Sequence, residues 1–363
     1  MIAPMTAPDI AIVVPTFNEA ENVPVLIARL RAVMEGHDYE IIFVDDSSPD
    51  GTSDAVRRFA RSDARIRVLE RVGRRGLSAA VIEGLMATAA PYGVVIDGDL
   101  QHDETLLPLM IETLRQDADV AIASRYLDGG GIGDWSQARL RTSLVATWLG
   151  QLLLKNQIND PMSGFFAVRT DVFRQRAGQL IGTGYKILVD LLSTSGPPLK
   201  TRELAYVFQS RQHGESKLDS KVALEFVELL IARFFGRYVP AKFVMFAAVG
   251  GFGVGVHFAV LSLLLNWLSF AEAQGVATLI AMMVNFFINN AFTYHDRRLR
   301  GWRLLPGLLS FCAASSLGLL ANVGVAVYLF AGVGTAWYLS ALAGILVGAT
   351  WNYVITSLYT WRS

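Results

Sequence analysis

The sequence predicts an α/β domain on a mostly parallel sheet, followed by an α-helical membrane domain of four spans. Three observations predict it. Short apolar runs alternate with amphipathic stretches over residues 1–217, the rhythm of βαβ units with helices on both faces of a sheet. Four later stretches, at about 243–268, 273–292, 304–330 and 336–359, each have the ~20 apolar residues that cross a bilayer core. Acidic residues nearly vanish there: between Phe243 and Tyr359 only Glu272 and Asp296 remain. The composition breaks near Val239-Pro240, so residues 218–242 join the two domains.

In the first domain, residues 10–14 form a continuous apolar strand and 18–34 an amphipathic helix. Residues 39–45 are a second strand, followed by the turn-rich run Asp46 to Gly51 and a helix over 52–61. A strand at 66–69, a helix at 77–89, a strand at 92–96, a helix at 106–116 and a strand at 120–124 continue the alternation. Ligands of such sheets bind at the carboxyl ends of the strands. Each polar motif falls there: Pro15 to Glu19, Asp45-Asp46, Asp97 to His102, and Ser124-Arg125-Tyr126.

Residues 218–237 read as a helix with Val222, Phe226, Leu229, Leu230, Phe234 and Phe235 near helical spacing. Its place directly before a span favours an interfacial helix over a core helix. Arg233, Arg237 and Lys242 precede the first span, Arg297, Arg298, Arg300 and Arg303 separate the second from the third, and Arg362 follows the fourth. The other connections, 269–274 and 331–335, carry no Lys or Arg. The positive-inside rule then puts both termini and the first domain in the cytoplasm. Met1 to Pro8 has neither a basic start nor a long apolar core, so no cleaved signal is expected. Gly251/Gly255 and Gly344/Gly348 have the GxxxG spacing of close helix contacts. His257, Asn285, Asn289, Asn290, Asn322 and Asn352 are intramembrane polar groups, read as interhelical hydrogen bonding in preference to a polar path for a headgroup.

Bulk composition narrows the function. The 363 residues carry zero formal net charge, which gives no reason to expect nucleic acid as a partner. The only cysteine, Cys312, lies in an apolar run, which excludes an internal disulfide and a zinc cluster. No GxGxxG opens a helix after the first strand and no GxxxxGK[ST] occurs, so common dinucleotide and ATP sites are disfavoured. The positive signal is Asp97-Gly98-Asp99-Leu100-Gln101-His102 at a strand's end. Its two carboxylates and an amide are hard oxygen donors suited to Mg²⁺ or Mn²⁺, ions that complete their shell with substrate phosphates. Asp97, Asp99 and Gln101 are the metal candidates.

Val14-Pro15-Thr16-Phe17-Asn18-Glu19, Val44-Asp45-Asp46-Ser47-Ser48-Pro49-Asp50-Gly51-Thr52 and Asp97 to His102 resemble family 2 glycosyltransferases of the GT-A fold. The likeness continues, in order, through Ser124-Arg125-Tyr126, Asp160 to Phe166, Gly184 to Leu188 and Arg211 to Leu218, a set similar to polyprenol (dolichol) phosphate mannose synthases. The four-span tail resembles GtrA-like membrane domains.

The resemblance implies inverting transfer of mannose from GDP-mannose to a polyprenyl (dolichyl-type) phosphate. It places Pro15, Phe17, Glu19, Val44, Asp46, Arg74, Gly98 and Lys217 with the metal motif around the nucleotide sugar. Glu19 also fits a helix-start acid, Asp46 a turn residue, and Arg74 with Arg75 a solvated basic run. Arg125, at a strand's end, is assigned to phosphate by forked contacts. Arg139 and Ser143 follow the family's Arg-x-x-x-Ser spacing for the acceptor phosphate, with Arg141 competing, and Lys186 is expected to meet the acceptor headgroup. Arg211, Ser216 and Lys217 are expected on a loop over the site, with Gly214 supplying its freedom. Asp160 is expected to orient groups near the sugar or to make a turn, and His102 to support the metal ligands without moving protons. Asp97, Asp99, Arg125 and Arg211 carry the reaction on this reading. A lipid phosphate is already ionised near neutral pH and needs no strong base, whereas the departing diphosphate needs a cation.

A UDP-hexose donor is the alternative within the class. A processive polysaccharide synthase would carry a later Gln-x-x-Arg-Trp, which is missing, and a non-enzymatic lipid transporter would not need the intact carboxylates. The four spans anchor the enzyme, assemble a homo-oligomer or help move the lipid product.

Overall fold

The computed structural model describes residues 7–73, 75–133, 137–182, 184–209, 220–236 and 239–362, without the side chains of 138, 139, 220, 221, 337, 338 and 341. The chain divides into two compact units, Met1–Phe234 and Phe235–Ser363.

The first unit is a seven-stranded sheet of β1 (Ile10–Thr16), β2 (Tyr39–Asp45), β3 (Ile66–Glu70), β4 (Tyr92–Val95), β5 (Val120–Ser124), β6 (Phe166–Arg169) and β7 (Thr201–Ala205) in the order β3-β2-β1-β4-β6-β5-β7. β6 runs antiparallel to both neighbours, and the other pairings are parallel. Strands β1 and β2 are buried almost throughout, which is why they read as unbroken apolar runs. Around the sheet lie α1 (Asn22–Val33), α2 (Thr52–Ala60), α3 (Leu77–Met86), α4 (Leu107–Gln116), α5 (Gln137–Gln151), α6 (Thr170–Ala177), α7 (Ile187–Leu192) and α8 (Ser220–Phe235). Two buried clusters fill the sheet's faces. One joins Leu26, Leu30, Ile41, Met110 and Phe165, and the other Val13, Val81, Leu85, Ile122 and Phe173.

The expected helix at 218–237 is α8, and its inner face packs Phe226, Leu229 and Leu230 on Met162 and Val189 of the first unit. Arg233 caps that contact by donating to Asp190 Oδ1 and to the Asp190 carbonyl (2.9 Å). Phe234 and Phe235 at its end are more than half exposed.

The second unit contains α9 (Ala241–Leu264), α10 (Phe270–Ile288), α11 (Leu304–Val327) and α12 (Trp337–Ile355). Candidate membrane spans run Ala241–Leu264, Phe270–Thr293, Gly301–Gly332 and Leu342–Thr360. Ser269 and Glu272 close a capping box at the start of α10.

The two hairpins of this unit repeat one another. Asn285-Phe286-x-Ile288 through Thr293-Tyr294 reappears sixty-seven positions on (352 − 285 = 67) as Asn352-Tyr353-x-Ile355 through Thr360-Trp361. Each copy ends in a turn of π-helix, Asn289–Thr293 and Thr356–Thr360. In each, the asparagine lies against a glycine of its partner helix: a Cβ on Gly253 would overlap the Asn285 carboxamide, and one on Gly318 that of Asn352. Phe246, Phe286, Tyr294, Phe311 and Trp361 form one buried cluster, drawn from matching positions of both copies. The glycine spacings divide accordingly. Gly344 and Gly348 do meet Asn322 and the Gly318 carbonyl across the α11–α12 contact, whereas nothing lies within 4 Å of a Cβ at Gly251 or Gly255. On α9 the close approach is made by Gly253, between them.

Candidate active site

The motifs gather at the carboxyl edge of the sheet, past β1, β2 and β4. Asp45, the fully buried last residue of β2, ties two of these loops together. Thr16 Oγ1 and Ser48 Oγ donate to its Oδ1 (3.0 and 2.6 Å), and Ser48 N and Ser53 Oγ to its Oδ2 (2.9 and 3.0 Å). Asp50 does the same one turn later. Its Oδ1 accepts from Thr52 N and Oγ1 (3.0 and 2.6 Å) and its Oδ2 from Ala20 N (3.0 Å). Burial raises the Asp50 carboxyl, but the Thr52 hydroxyl and these backbone donors outweigh it and hold the pKa below the usual range. The Ser-Pro-Asp-Gly turn is thus the scaffold for the β1 loop.

On that scaffold Glu19 is buried. Its N–H donates to Thr52 Oγ1 (2.9 Å), and its Oε2 accepts from Asn22 Nδ2 (2.7 Å). Asp46 pairs with the buried Arg71 guanidinium and accepts from Gly76 N (2.7 Å). Arg71 also reaches Glu83 (3.3 Å) and the Gly76 carbonyl (3.1 Å). Among the described residues Arg71, not foreseen from the sequence, is therefore the cation paired with Asp46. Arg75 lies over the Phe17 ring, 4.5 Å from its centroid. Pro15 is buried at the end of β1. Val44 is fully buried with Ala80 and Val81, so its side chain belongs to the core, and a contact with the nucleotide would have to use its backbone. Arg74 lies outside the described residues.

The Asp97–His102 hexapeptide turns sharply after β4. Leu100 has φ +63° and a buried side chain. Asp99 and Gln101 are buried, and Gln101 N donates to Asp99 Oδ1 (3.2 Å). Asp97 N donates to His102 Nδ1 (3.2 Å), so the ring's proton sits on Nε2, 3.8 Å from Asp97 Oδ2. Burial pushes the His102 pKa down to about 4, so the ring is neutral near pH 7. It stacks on Phe165 (5.1 Å between centroids) and meets the edges of Tyr206 and Phe208. A Cβ at Gly98 would lie 3.1 Å from Thr16 Cγ2, and one at Gly164 would lie 3.0 Å from Asp97 Oδ2. Gln101 is clamped to the strand-seven exit: Gln101 Nε2 donates to the Gln209 carbonyl (3.0 Å) and Gln209 N to the Gln101 carbonyl (2.9 Å). Residues 210–219, with Arg211, Gly214, Ser216 and Lys217, lie outside the described residues.

Two carboxylates and one carboxamide within five residues form a hard-oxygen set that fits Mg²⁺ or Mn²⁺. Among the described residues no group of three His, Cys, Asp or Glu could hold a metal. Among the described residues no further His, Cys, Asp or Glu joins them, so water or substrate would complete the shell of an ion held by these three, as suits a diphosphate.

Arg125 differs from the expectation. Its Nε and Nη2 grip Asp160 (2.7 Å each) and its N–H bonds the same carboxylate (3.1 Å), with Asp160 fully buried. Glu203 holds Asp160 N and Asn159 N from the other side (2.9 Å each). Burial disfavours the Arg125 charge, but the Asp160 carboxylate outweighs it and raises the pKa. The fork expected to grip phosphate is taken by Asp160, so any phosphate contact must use the guanidinium's other edge. Lys186, just before α7, feels Arg125, Asp160 and Asp97 together. Burial first, then Arg125, lowers its pKa to about 8. Ser143 on α5 shares a hydrogen bond with Tyr126 (2.9 Å). The side chain of Arg139 is outside the described residues, and Arg141 is exposed. Tyr206 and Phe208 were not singled out, although the alternation in Ala205-Tyr206-Val207-Phe208 signals them.

Comparison with known proteins identifies both domains. Residues 11–176 match "Glycosyl transferase family 2", and 245–361 match "GtrA/DPMS, transmembrane domain". A dolichol-phosphate mannosyltransferase of Pyrococcus furiosus is 33% identical over 358 residues, 98% of this chain and 99% of that one. The Saccharomyces cerevisiae dolichol-phosphate mannosyltransferase is 34% identical over 61% of this chain and 85% of its own. The Micrococcus luteus undecaprenyl-phosphate mannosyltransferase is 32% identical over 59% and 89%. With a relative matched end to end and both domains recognised in order, the chain belongs to glycosyl transferase family 2, fused to a GtrA/DPMS-type transmembrane domain.

Proposed function

We propose that this protein transfers mannose from GDP-mannose to a polyprenyl phosphate at the cytoplasmic membrane face, with inversion at the anomeric carbon. A phosphate oxygen of the lipid attacks C1 of the sugar, the bond from C1 to the diphosphate oxygen breaks, and GDP leaves with that electron pair. The acceptor arrives ionised, so no proton need be taken from it, consistent with a neutral, buried His102. Mg²⁺ or Mn²⁺, when bound at Asp97, Asp99 and Gln101, supplies positive charge for the departing diphosphate. Asp46, Glu19 and Phe17 line the nucleotide end. Lys186 and Ser143 face the acceptor, with Arg139 and Arg211 as further phosphate contacts.

The observation that carries the lipid acceptor is the outer face of α5. Leu144, Val145 and Trp148, with Leu152 just past the helix end, are 47–59% exposed directly after Ser143, while Ala146 and Leu149 on the inner side are packed. An exposed apolar face beside a phosphate-site residue suits a substrate with a long apolar tail. The exposed end of α8 supports an interfacial role for residues 218–242, and the basic loop 297–303 supports the cytoplasmic orientation.

The test is a donor screen. Membranes with the protein receive polyprenyl phosphate, Mg²⁺ or Mn²⁺, and labelled GDP-mannose or UDP-glucose, and label in the extracted lipid is counted. GDP-mannose is expected to label it. Label from UDP-glucose alone would replace the donor, and no label from either would refute the transfer.

A further inference from the structure

The connection between α10 and α11 is built more firmly than a tether requires. Asn290 brackets the main chain of Leu299: its Oδ1 accepts from Leu299 N (2.8 Å) and its Nδ2 donates to Leu299 O (3.1 Å). Trp361 Nε1 donates to the same Oδ1 (3.1 Å), and the fully buried Trp361 ring stacks on Tyr294 at 4.1 Å. The segment Arg297-Arg298-Leu299-Arg300-Gly301-Trp302-Arg303 is thus pinned at its centre, with four arginines in seven residues. All four are exposed, and Trp302 beside them is 81% exposed. Asp296, just before the segment, is taken by Lys242 (2.7 Å) and approached by Arg297 (3.7 Å). Arg298, Arg300 and Arg303 form no ion pair with a described residue.

The segment runs from just past one candidate span into the first turn of the next, so it lies at headgroup depth whichever way the chain is inserted. An exposed tryptophan suits that depth. Arginine rather than lysine suits phosphate, whose oxygens accept its paired donors.

We propose that residues 297–303 form a binding surface for the phosphate of anionic lipid headgroups. The ligand class is a lipid phosphate, either a phospholipid diester or a polyprenyl monoester. The surface is separate in sequence and unit from the Asp97 site. The proposal rests on the membrane reading and is independent of the donor and the transfer.

Full-length protein in phosphatidylcholine nanodiscs, without any sugar nucleotide, is titrated with fluorescent phosphatidylglycerol. One arginine near a charged surface changes affinity about fivefold. The variant R298Q/R300Q/R303Q should therefore bind on the order of a hundredfold more weakly. R298K/R300K/R303K keeps the charge but loses the paired donors, and should bind between the wild type and the glutamine variant. Unlabelled polyprenyl phosphate that displaces the probe identifies the monoester as the preferred source, and failure to displace it identifies the phospholipid. Unchanged binding in the glutamine variant, equal loss in the lysine variant, or displacement by millimolar inorganic phosphate would each overturn the assignment.

Discussion

Gly164→Ala is the sharpest probe of the Asp97 site, because it adds one methyl group beside one carboxylate. The new Cβ would sit 3.0 Å from Asp97 Oδ2 and 3.6 Å from its Cγ and Oδ1. Comfortable carbon contacts begin at about 3.5 Å, so the carboxylate must retreat by about half an ångström. Gly164 has no left-handed φ, so alanine brings no backbone strain. The Asp97 side chain is 28% exposed and can move toward solvent, which keeps the folding cost within about 0.5 kcal/mol. The chemistry is less forgiving, since productive sites hold their groups within about 0.5 Å. A loss of about tenfold in kcat/KM, or about 1.4 kcal/mol of transition-state stabilisation, is expected. The assay is mannosyl transfer to polyprenyl phosphate, with Mn²⁺ affinity from its EPR signal and thermal unfolding measured alongside. Wild-type transfer and Mn²⁺ affinity together would refute the role given to Asp97. So would a loss of activity matched by a loss of folded protein.

Asp99→Ala should abolish transfer and weaken Mn²⁺ binding while leaving the far-ultraviolet circular dichroism unchanged; retained full activity would mean the metal ligands are elsewhere. Asp160→Asn should destabilise the first unit by about 3–5 kcal/mol, because it strands the buried Arg125 guanidinium, and an unchanged unfolding midpoint would show that the pair is not needed. Asn285→Ala and Asn352→Ala occupy matching places in the two hairpins. They should lower the thermal stability of the detergent-solubilised protein by similar amounts, and a loss confined to one would argue against the repeat.

The sequence made legible what is local. β1 and β5 are fully buried and β2 nearly so, and so they appear as largely apolar runs, and four long apolar stretches needed only counting. What stayed hidden depends on partners far along the chain. β6 has only four residues, starts where the Asp160–Phe166 motif ends and runs antiparallel, so no βαβ rhythm announces it. β7 is an edge strand whose Arg202 and Glu203 mask its period. Asp46 reads as a turn residue until Arg71, twenty-five positions on, is seen paired with it (71 − 46 = 25), and the Arg125 fork looks available until Asp160 arrives from thirty-five residues away. The hairpin repeat escapes notice because its matched positions keep chemical class more than identity: Phe286 for Tyr353, Tyr294 for Trp361.

Carboxylates at i, i+2 past a strand's end either point one way or converge as the chain turns; β4 ends at Val95, so Asp97, Asp99 and Gln101 lie in the turn that follows it. Three described non-glycine residues have positive φ, Asn18, Ser47 and Leu100, and they fall just after β1, β2 and β4. Asn and Ser are short and polar, and their loops are held by Asp45 and its neighbours. Leu100 has no such excuse. The left-handed conformation costs a leucine about 1–2 kcal/mol. Its side chain is 2% exposed in the main core cluster, a burial worth about 1.5–3 kcal/mol. The second quantity is large enough to offset the first. A hydrophobic anchor can therefore hold Asp99 and Gln101 in a turn that a leucine would not choose in isolation. The least polar residue of the hexapeptide fixes its geometry, and the donors on either side depend on it without its touching any ligand.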